Sequence, residues 1–244
     1  MRNLVFLSVI IHFCSFGFCQ TSKISSSNQY WIQYYSQFKL SNKWQVGFDA
    51  GCRWRDNFSQ LSQLIVRANA TYQIGTKLKI GFGYVQSGIY NNSTLASLEY
   101  RPFEELSFDH KKEKYELSNR LRFEQRFLSL FPDENSKSSC FIQRVRFNFT
   151  FAKFLINPLK QNNNFQIWWL IGDELFINIM ESTSFNWFDQ NRLFSGPLLK
   201  LNSNLSVQLL YSAQISRVTN SPSYRLTNVV WMSLKHKINC VKEK

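Results

Sequence analysis

Residues 140–151 read CFIQRVRFNFTF and alternate between two kinds of side chain. The odd-numbered positions hold four phenylalanines, one valine and one glutamine, whereas the even-numbered positions include Arg144 and Arg146. Because successive side chains of a β-strand point to opposite faces, this pattern predicts a strand with one apolar face and one cationic face.

The same period of two recurs along most of the chain. In residues 116–128, Arg120, Arg122 and Glu124 alternate with leucine and phenylalanine. In residues 44–55, one face is apolar and the other consists of Gln, Gly, Asp and Arg. Eleven segments are predicted as strands by this criterion, at 30–40, 43–55, 62–74, 77–87, 94–104, 115–128, 139–154, 165–179, 186–201, 204–216 and 225–237.

These segments predict an all-β chain folded as a single antiparallel up-and-down transmembrane β-barrel. Most reach the roughly 9–11 residues that a tilted strand needs to cross a bilayer. An open sheet edge in lipid would leave backbone groups unpaired at several kcal/mol each, so the sheet must close. Both ends of such a chain normally lie in the periplasm, which requires an even number of strands. We therefore expect twelve strands, the twelfth lying in residues 22–28 or 105–114. The alternative is ten strands, if the first segment does not span the membrane.

The placement of charge separates a membrane barrel from a soluble one. A soluble barrel or sandwich also alternates, but its polar face is a loose mixture of Lys, Glu, Ser and Thr that meets water. Here the polar face is rich in arginine with interspersed glutamate, and aromatic residues, which crowd the apolar face, make up 16% of the chain. Tryptophan and tyrosine recur near strand ends, as in the aromatic girdles of membrane barrels.

The connections between the predicted strands differ in length. Short turns at 41–42 and 75–76 alternate with longer polar stretches such as 132–139. Outer-membrane barrels have short periplasmic turns and longer extracellular loops, so this alternation favours the same fold. Two longer links, 105–114 and 157–164, are exceptions on the short side.

The first residues have the layout of a secretory signal peptide. A positively charged start is followed by an apolar stretch that is too short for a membrane-spanning helix. Gly17 and Cys19 place small residues at the −3 and −1 positions of a cleavage site before Gln20. The chain is therefore predicted to consist of a signal peptide at 1–19 and an outer-membrane barrel domain at 20–244.

Three cysteines follow the predicted cleavage site, namely Cys52, Cys140 and Cys240. An odd number of cysteines in an exported protein does not form a complete disulfide framework. Their spacing matches no zinc motif, so we predict no metal site and no cofactor.

The polar faces of neighbouring strands meet inside the predicted barrel, where arginines and carboxylates can pair across strands. The residues predicted to line the lumen are Asp49, Arg53, Arg67, Glu99, Arg101, Arg120, Arg122, Glu124, Arg126, Arg144, Arg146, Glu174 and Arg192. The first interpretation is that this network fills and rigidifies a narrow lumen. The alternative is a narrow anion-preferring pore or transport channel, in which excess arginine selects phosphate-like or carboxylate solutes.

Two other classes of function are weighed against these. The formal charge of +13 is typical of proteins that bind nucleic acid or anionic surfaces. Because the arginines share strands with densely apolar faces, we predict no nucleic-acid binding. An outer-membrane lipid hydrolase would need a histidine, and only His110 and His236 follow the signal segment, neither of them beside a Gly-x-Ser-x-Gly motif. The chain is predicted not to be an enzyme, with a lipid hydrolase kept as an alternative.

Several motifs, taken together, resemble one family. They are LSNRLRFEQR at 117–126, QRVR at 143–146, GDELF at 172–176, FDQNRLFSG at 188–196, Glu99-Tyr100-Arg101, and the pair Trp44 and Arg53. The family is the uncharacterised outer-membrane β-barrel group called domain of unknown function (DUF) 2490, and the resemblance covers roughly residues 30–237.

The resemblance implies a signal peptide and an outer-membrane barrel, and it brings no accepted activity or catalytic residue. The expected partners are the lipid bilayer of the bacterial outer membrane and the barrel-assembly machinery, with small anionic solutes if the lumen is a pore. The oligomeric state is not specified. Barrels of this kind commonly end on an aromatic residue, and the ending from Asn239 to Lys244 departs from that pattern.

Overall fold

The computed structural model describes residues 24–133, 136–158, 165–181, 187–218 and 223–241. The predicted signal peptide, with its cleavage between Cys19 and Gln20, lies outside the described residues. Within the described ranges, no helix is long and apolar enough to cross a membrane.

Eleven strands make up the described structure, and each overlaps one predicted segment. They are β1 (Ile24–Lys39), β2 (Trp44–Arg55), β3 (Gln60–Gln73), β4 (Leu78–Asn91), β5 (Thr94–Lys111), β6 (Tyr115–Asp133), β7 (Ser136–Ile156), β8 (Gln166–Glu181), β9 (Phe188–Lys200), β10 (Leu205–Arg217) and β11 (Tyr224–Asn239). The shortest, β2, has 12 residues and the longest, β7, has 21.

The sheet closes on itself through β1 and β11, which pair in parallel with Ile24 opposite Tyr224 and Lys39 opposite Asn239. All other neighbouring strands are consecutive in sequence and antiparallel. The fold is therefore the predicted all-β closed barrel, with eleven strands rather than twelve and one parallel pair. The regions considered for a twelfth strand belong to other strands, since residues 24–28 begin β1 and residues 105–111 end β5.

An odd number of strands places the start of β1 and the end of β11 at opposite ends of the barrel. We call the end at which β11 stops the lysine end, and the other the amino end. Of the twelve lysines in the described ranges, only Lys137 lies at the amino end. The lysine end carries Lys39, Lys43, Lys77, Lys79, Lys111, Lys112, Lys114, Lys153, Lys200, Lys235 and Lys237.

The connections do not divide into short turns at one end and long loops at the other. At the amino end, β4 and β5 are joined by Asn92 and Ser93 alone, whose φ angles of 47° and 66° suit a two-residue hairpin turn. The stretch 132–139 is mostly strand, because β6 and β7 continue past their alternating segments. The predicted link 105–114 is also mostly strand, as the end of β5.

The two faces of the sheet differ in the way that the alternation predicts. Outward-facing Phe48, Phe82 and Leu121 are 50%, 59% and 48% exposed. Inward-facing Glu124 and Arg122 are 0% and 4% exposed. Charge thus lies inside the cylinder and apolar surface outside, which is the reverse of a water-soluble protein.

Two outward carboxylates depart from this division. Asp173 accepts a hydrogen bond from Asn191 Nδ2 at 2.8 Å. Glu104 lies opposite Phe82 and Phe123 in the sheet, and no described residue pairs with it.

Two inward glycines let aromatic rings lie across the barrel. A Cβ atom at Gly83 would overlap the ring of Phe103, and one at Gly172 would overlap the ring of Phe194. Each glycine faces a strand neighbour's ring, so the lumen is filled where a larger residue would have pushed the ring aside.

The parallel closure predicts one specific crosslink. Ser27 Oγ and Thr227 Oγ1 lie 3.2 Å apart across β1 and β11. With Cys52, Cys140 and Cys240 replaced by serine, Ser27→Cys with Thr227→Cys should form a disulfide on oxidation, because directly paired strands bring Cα atoms within disulfide range. Ser27→Cys with Ser233→Cys is the control, since Ser233 also faces inward but lies six positions further along β11. A crosslink in the control, or none in the test pair on a non-reducing gel, would contradict this closure.

Candidate functional site in the barrel lumen

Seven arginines and five carboxylates from β5 to β9 form one connected network inside the barrel. Alternation puts the charged residues of each strand on one face, and the strand register then sets them beside one another. Glu124 of β6, for example, is directly opposite Arg144 of β7.

Glu124 lies at the centre of the network. Arg144 donates from Nε and Nη2 to Glu124 Oε2 at 2.9 and 2.6 Å, and Arg146 donates from Nη1 to Oε1 at 2.6 Å. Arg101 Nη1 lies 3.5 Å from the same Oε1. Both carboxylate oxygens are therefore bound, as a fully buried carboxylate requires.

Glu174 of β8 forms a second centre. Its Oε1 accepts hydrogen bonds from Arg146 Nη2 at 2.7 Å and Arg120 Nη2 at 2.9 Å, and its Oε2 accepts from Arg192 Nη1 at 3.2 Å. The adjacent Asp173 points outward, so Asp173 and Glu174 do not act together.

Glu99 joins two further predicted residues to the network. Arg101 donates from Nε to Glu99 Oε1 at 3.0 Å, and Arg126 donates to the same oxygen at 2.5 Å. These contacts and those of Glu124 and Glu174, which include Arg122 Nη1 at 3.9 Å from Glu124 Oε1, link ten of the thirteen residues that the sequence predicts to line the lumen.

Two members of the network were absent from the prediction. Glu105 accepts two hydrogen bonds from Arg122 at 3.0 and 2.7 Å, but it lies in a stretch that was predicted as a link. Asp189 accepts from Arg144 Nη1 at 2.6 Å. The register of β8 and β9 shifts there, and Asp189 is the extra residue. Strict alternation would point Asp189 outward, but the β-bulge turns it into the lumen. The alternation pattern therefore did not predict it.

The other three predicted residues lie apart from this network. Arg67 donates from Nε to Asp49 Oδ1 at 2.6 Å, which makes a separate pair on β2 and β3. Arg53 has Gln63 rather than a carboxylate as its hydrogen-bond acceptor, at 2.7 Å, and its guanidinium carbon lies 3.8 Å from the ring centroid of Trp31.

Aromatic rings occupy the space between the charged clusters. Trp31 is 3% exposed, and its ring meets Trp231 edge-on at 5.5 Å. The guanidinium carbon of Arg192 also lies over the Trp31 ring, 4.8 Å from its centroid, so Trp31 contacts both Arg192 and Arg53. Phe176 is likewise 3% exposed and lies within 4.6 Å of the Arg146 guanidinium. These cation–π contacts fill the lumen with side chains.

This arrangement leaves little reactive chemistry inside the barrel. All five network carboxylates accept bonds from arginine, and the network holds two more arginines than carboxylates. Among the described residues, no three His, Cys, Asp or Glu side chains are grouped so as to hold a metal ion.

The two histidines that the structure describes lie on the outer face of the barrel. His110 packs against Tyr115 with ring centroids 6.0 Å apart. His236 Nδ1 is 3.2 Å from Tyr34 Oη, and Ser36 lies opposite His236 in the parallel pair. The Ser36 hydroxyl donates to the Phe48 carbonyl oxygen at 3.0 Å, so the serine is not bonded to the imidazole.

The chain matches the model of a known protein family. A family model described as "Protein of unknown function (DUF2490)" matches residues 28–225. No curated protein matches the chain.

Removing the central charge should destabilise the barrel. Glu124→Gln leaves each of Arg144 and Arg146 with a single carboxylate partner and raises the excess of network arginines over carboxylates from two to three. Breaking buried ion pairs in this way costs about 3–5 kcal/mol. The matched control is Glu104→Gln, an outward carboxylate without a partner in the described structure, for which we expect a change within about 0.5 kcal/mol. Urea unfolding of both variants in detergent measures the difference. Equal effects would mean that the network does not hold the fold together.

Proposed function

The chain belongs to the protein family of unknown function DUF2490, and from this premise we propose that it is an integral protein of the bacterial outer membrane with a packed, non-conducting lumen. Its role is then that of a rigid membrane-embedded scaffold, with the lipid bilayer as its first partner. The barrel-assembly machinery inserts it after export and removal of the signal peptide.

The distribution of charge over the two faces carries this proposal. The outer face presents half-exposed aromatic and aliphatic side chains, while the buried arginines and carboxylates neutralise one another inside. Such an outer face would be an aggregation hazard in water, whereas in lipid it meets a solvent of its own polarity. A closed sheet is also the only β-structure that satisfies its backbone groups in a bilayer.

Aromatic pairs near the two ends support the same conclusion. Trp44 packs against Tyr72 near the lysine end, at 5.0 Å between ring centroids, and Tyr30 stacks on Phe58 near the amino end, at 4.4 Å. These are the positions of the girdles that membrane barrels place at the lipid–water interfaces. Because β6 and β7 extend furthest at the amino end, we orient that end outward and the lysine end toward the periplasm.

A narrow anion-preferring pore is the second candidate, and the excess of arginine over carboxylate in the lumen favours it. The rings of Trp31, Trp231 and Phe176 favour the packed interior instead, because they lie between the charged clusters and fill the path that ions would take. We therefore place the pore second.

A charged residue introduced on the outer face of the sheet distinguishes a membrane barrel from a water-soluble one. Leu121→Arg should cost about 2–4 kcal/mol in lipid vesicles, because it faces the middle of the bilayer, and Leu40→Arg, in a turn at the lysine end, about 0–1 kcal/mol. The two leucines are 48% and 51% exposed, so a water-soluble protein would tolerate both changes equally. Equal tolerance, or recovery of the wild type as a soluble periplasmic protein, would refute the membrane proposal.

Planar-bilayer recordings distinguish the packed barrel from the pore. We expect the wild type to be silent and Trp31→Ala with Trp231→Ala to conduct, with a preference for anions that follows from the excess of arginine. Trp44→Ala with Trp169→Ala removes two outward rings, which are 43% and 47% exposed, and should stay silent. Steady anion-selective conductance of the wild type would replace the packed barrel with the pore.

A further inference from the structure

A polar cavity of about 430 Å³ lies inside the lysine end of the barrel. Lys200, Lys235 and Lys237 line it, together with the amides of Gln37 and Gln208 and the carboxylate of Glu116. It lies at the mouth of the cylinder, beyond the Arg–carboxylate network, and shares no residue with that network.

The strand register brings the three lysines together. Ser206 of β10 lies opposite Lys200 of β9 on one side and opposite Lys235 of β11 on the other. Lys237 follows on the same face of β11, roughly 6–7 Å further along the strand. No local sequence motif indicates this group, because Lys200 is thirty-five positions before Lys235 in the chain.

The positive charge of the cavity is only partly compensated. Lys200 Nζ pairs with Glu116 Oε1 at 2.6 Å and also lies 3.8 Å from the ring centroid of Trp168. That pair uses the one carboxylate that lines the cavity. Among the residues that the structure describes, no carboxylate lies within 4.0 Å of the ammonium group of Lys235 or Lys237.

Two uncompensated ammonium groups beside one cavity indicate an anionic ligand. Charges that are partly removed from water lose hydration, and a bound counter-ion restores the balance. The other lysine side chains at this end of the barrel attract anions and raise their local concentration further. The volume falls within the roughly 300–1,000 Å³ of small-molecule sites.

We propose that this cavity binds a phosphate group, carried either by a small soluble anion or by a lipid headgroup. A phosphate dianion matches the two uncompensated lysines in charge, and lysine serves proteins as a point-charge phosphate ligand. The amides and hydroxyls of the walls supply further donors to its oxygens. The binding does not depend on membrane location, although in the proposed orientation the cavity opens to the periplasm.

Calorimetric titration of the full-length protein in detergent tests the site. The probes are inorganic pyrophosphate and, in a second arm, soluble dihexanoyl phosphatidic acid. Lys235→Gln with Lys237→Gln should weaken binding of the effective probe at least tenfold. Lys77→Gln with Lys112→Gln removes the same charge from exposed turns of the same end, and should change binding less than twofold.

Each outcome of these titrations either supports or overturns the proposed phosphate site. Binding of pyrophosphate supports the site with a soluble ligand, and binding of the lipid alone supports it with a headgroup. Absence of binding in both arms, or equal losses in the two double variants, would overturn the proposal. Heat-modifiable migration of each variant on gels verifies that the barrel is folded before titration, so a folding defect is not mistaken for a lost ligand.

Discussion

The Arg–carboxylate network in the barrel interior depends on charge compensation at Glu124. This carboxylate has no exposed surface. Its Oε2 accepts hydrogen bonds from Arg144, and its Oε1 accepts one from Arg146 and is also approached by Arg101. Each of these arginines has one other carboxylate partner, so without Glu124 the network would hold three more arginines than carboxylates in a buried environment. Such an uncompensated buried charge is strongly destabilising. The network links β5, β6, β7, β8 and β9 through side chains in addition to the backbone ladder. The strands on this side of the cylinder are thus joined both by the backbone ladder and by charged, hydrogen-bonded side-chain pairs of defined geometry.

Arginine and lysine occupy different parts of the barrel for a physical reason. The planar guanidinium offers five donors and stacks on aromatic faces, so the arginines in the middle of the lumen can bind carboxylates and pack against Trp31 and Phe176. The ammonium of lysine is compact and strongly hydrated, which suits the wet mouth of the cylinder. The result is a packed central plug and a separate cationic cavity below it, where Lys235 and Lys237 remain available to an anion.

Much of this architecture follows from local alternation. The eleven strands of the described structure correspond to the eleven predicted segments, and the thirteen predicted charged residues face the interior. Strict alternation fails where the backbone departs from a regular ladder. Asp189 reaches the lumen through a bulge between β8 and β9, and Glu105 was missed because charged residues near a strand end resemble a loop. The expectation of twelve strands came from a rule about chain termini, and it gave way to a parallel pair because β1 and β11 align in register over their whole length.

By itself, the sequence determined that the chain is built of strands with one charged and one apolar face, because a period of two is imposed by the backbone of a single strand. It also determined most of the charged residues that face the interior, with Glu105 and Asp189 as the exceptions. Tertiary structure alone decided how the sheet closes, which carboxylate meets which arginine, and that rings fill the space between them. Those features depend on pairing between residues that are distant in the chain, such as Ser27 with Thr227 and Lys200 with Lys235, and no local pattern encodes the register that brings them together.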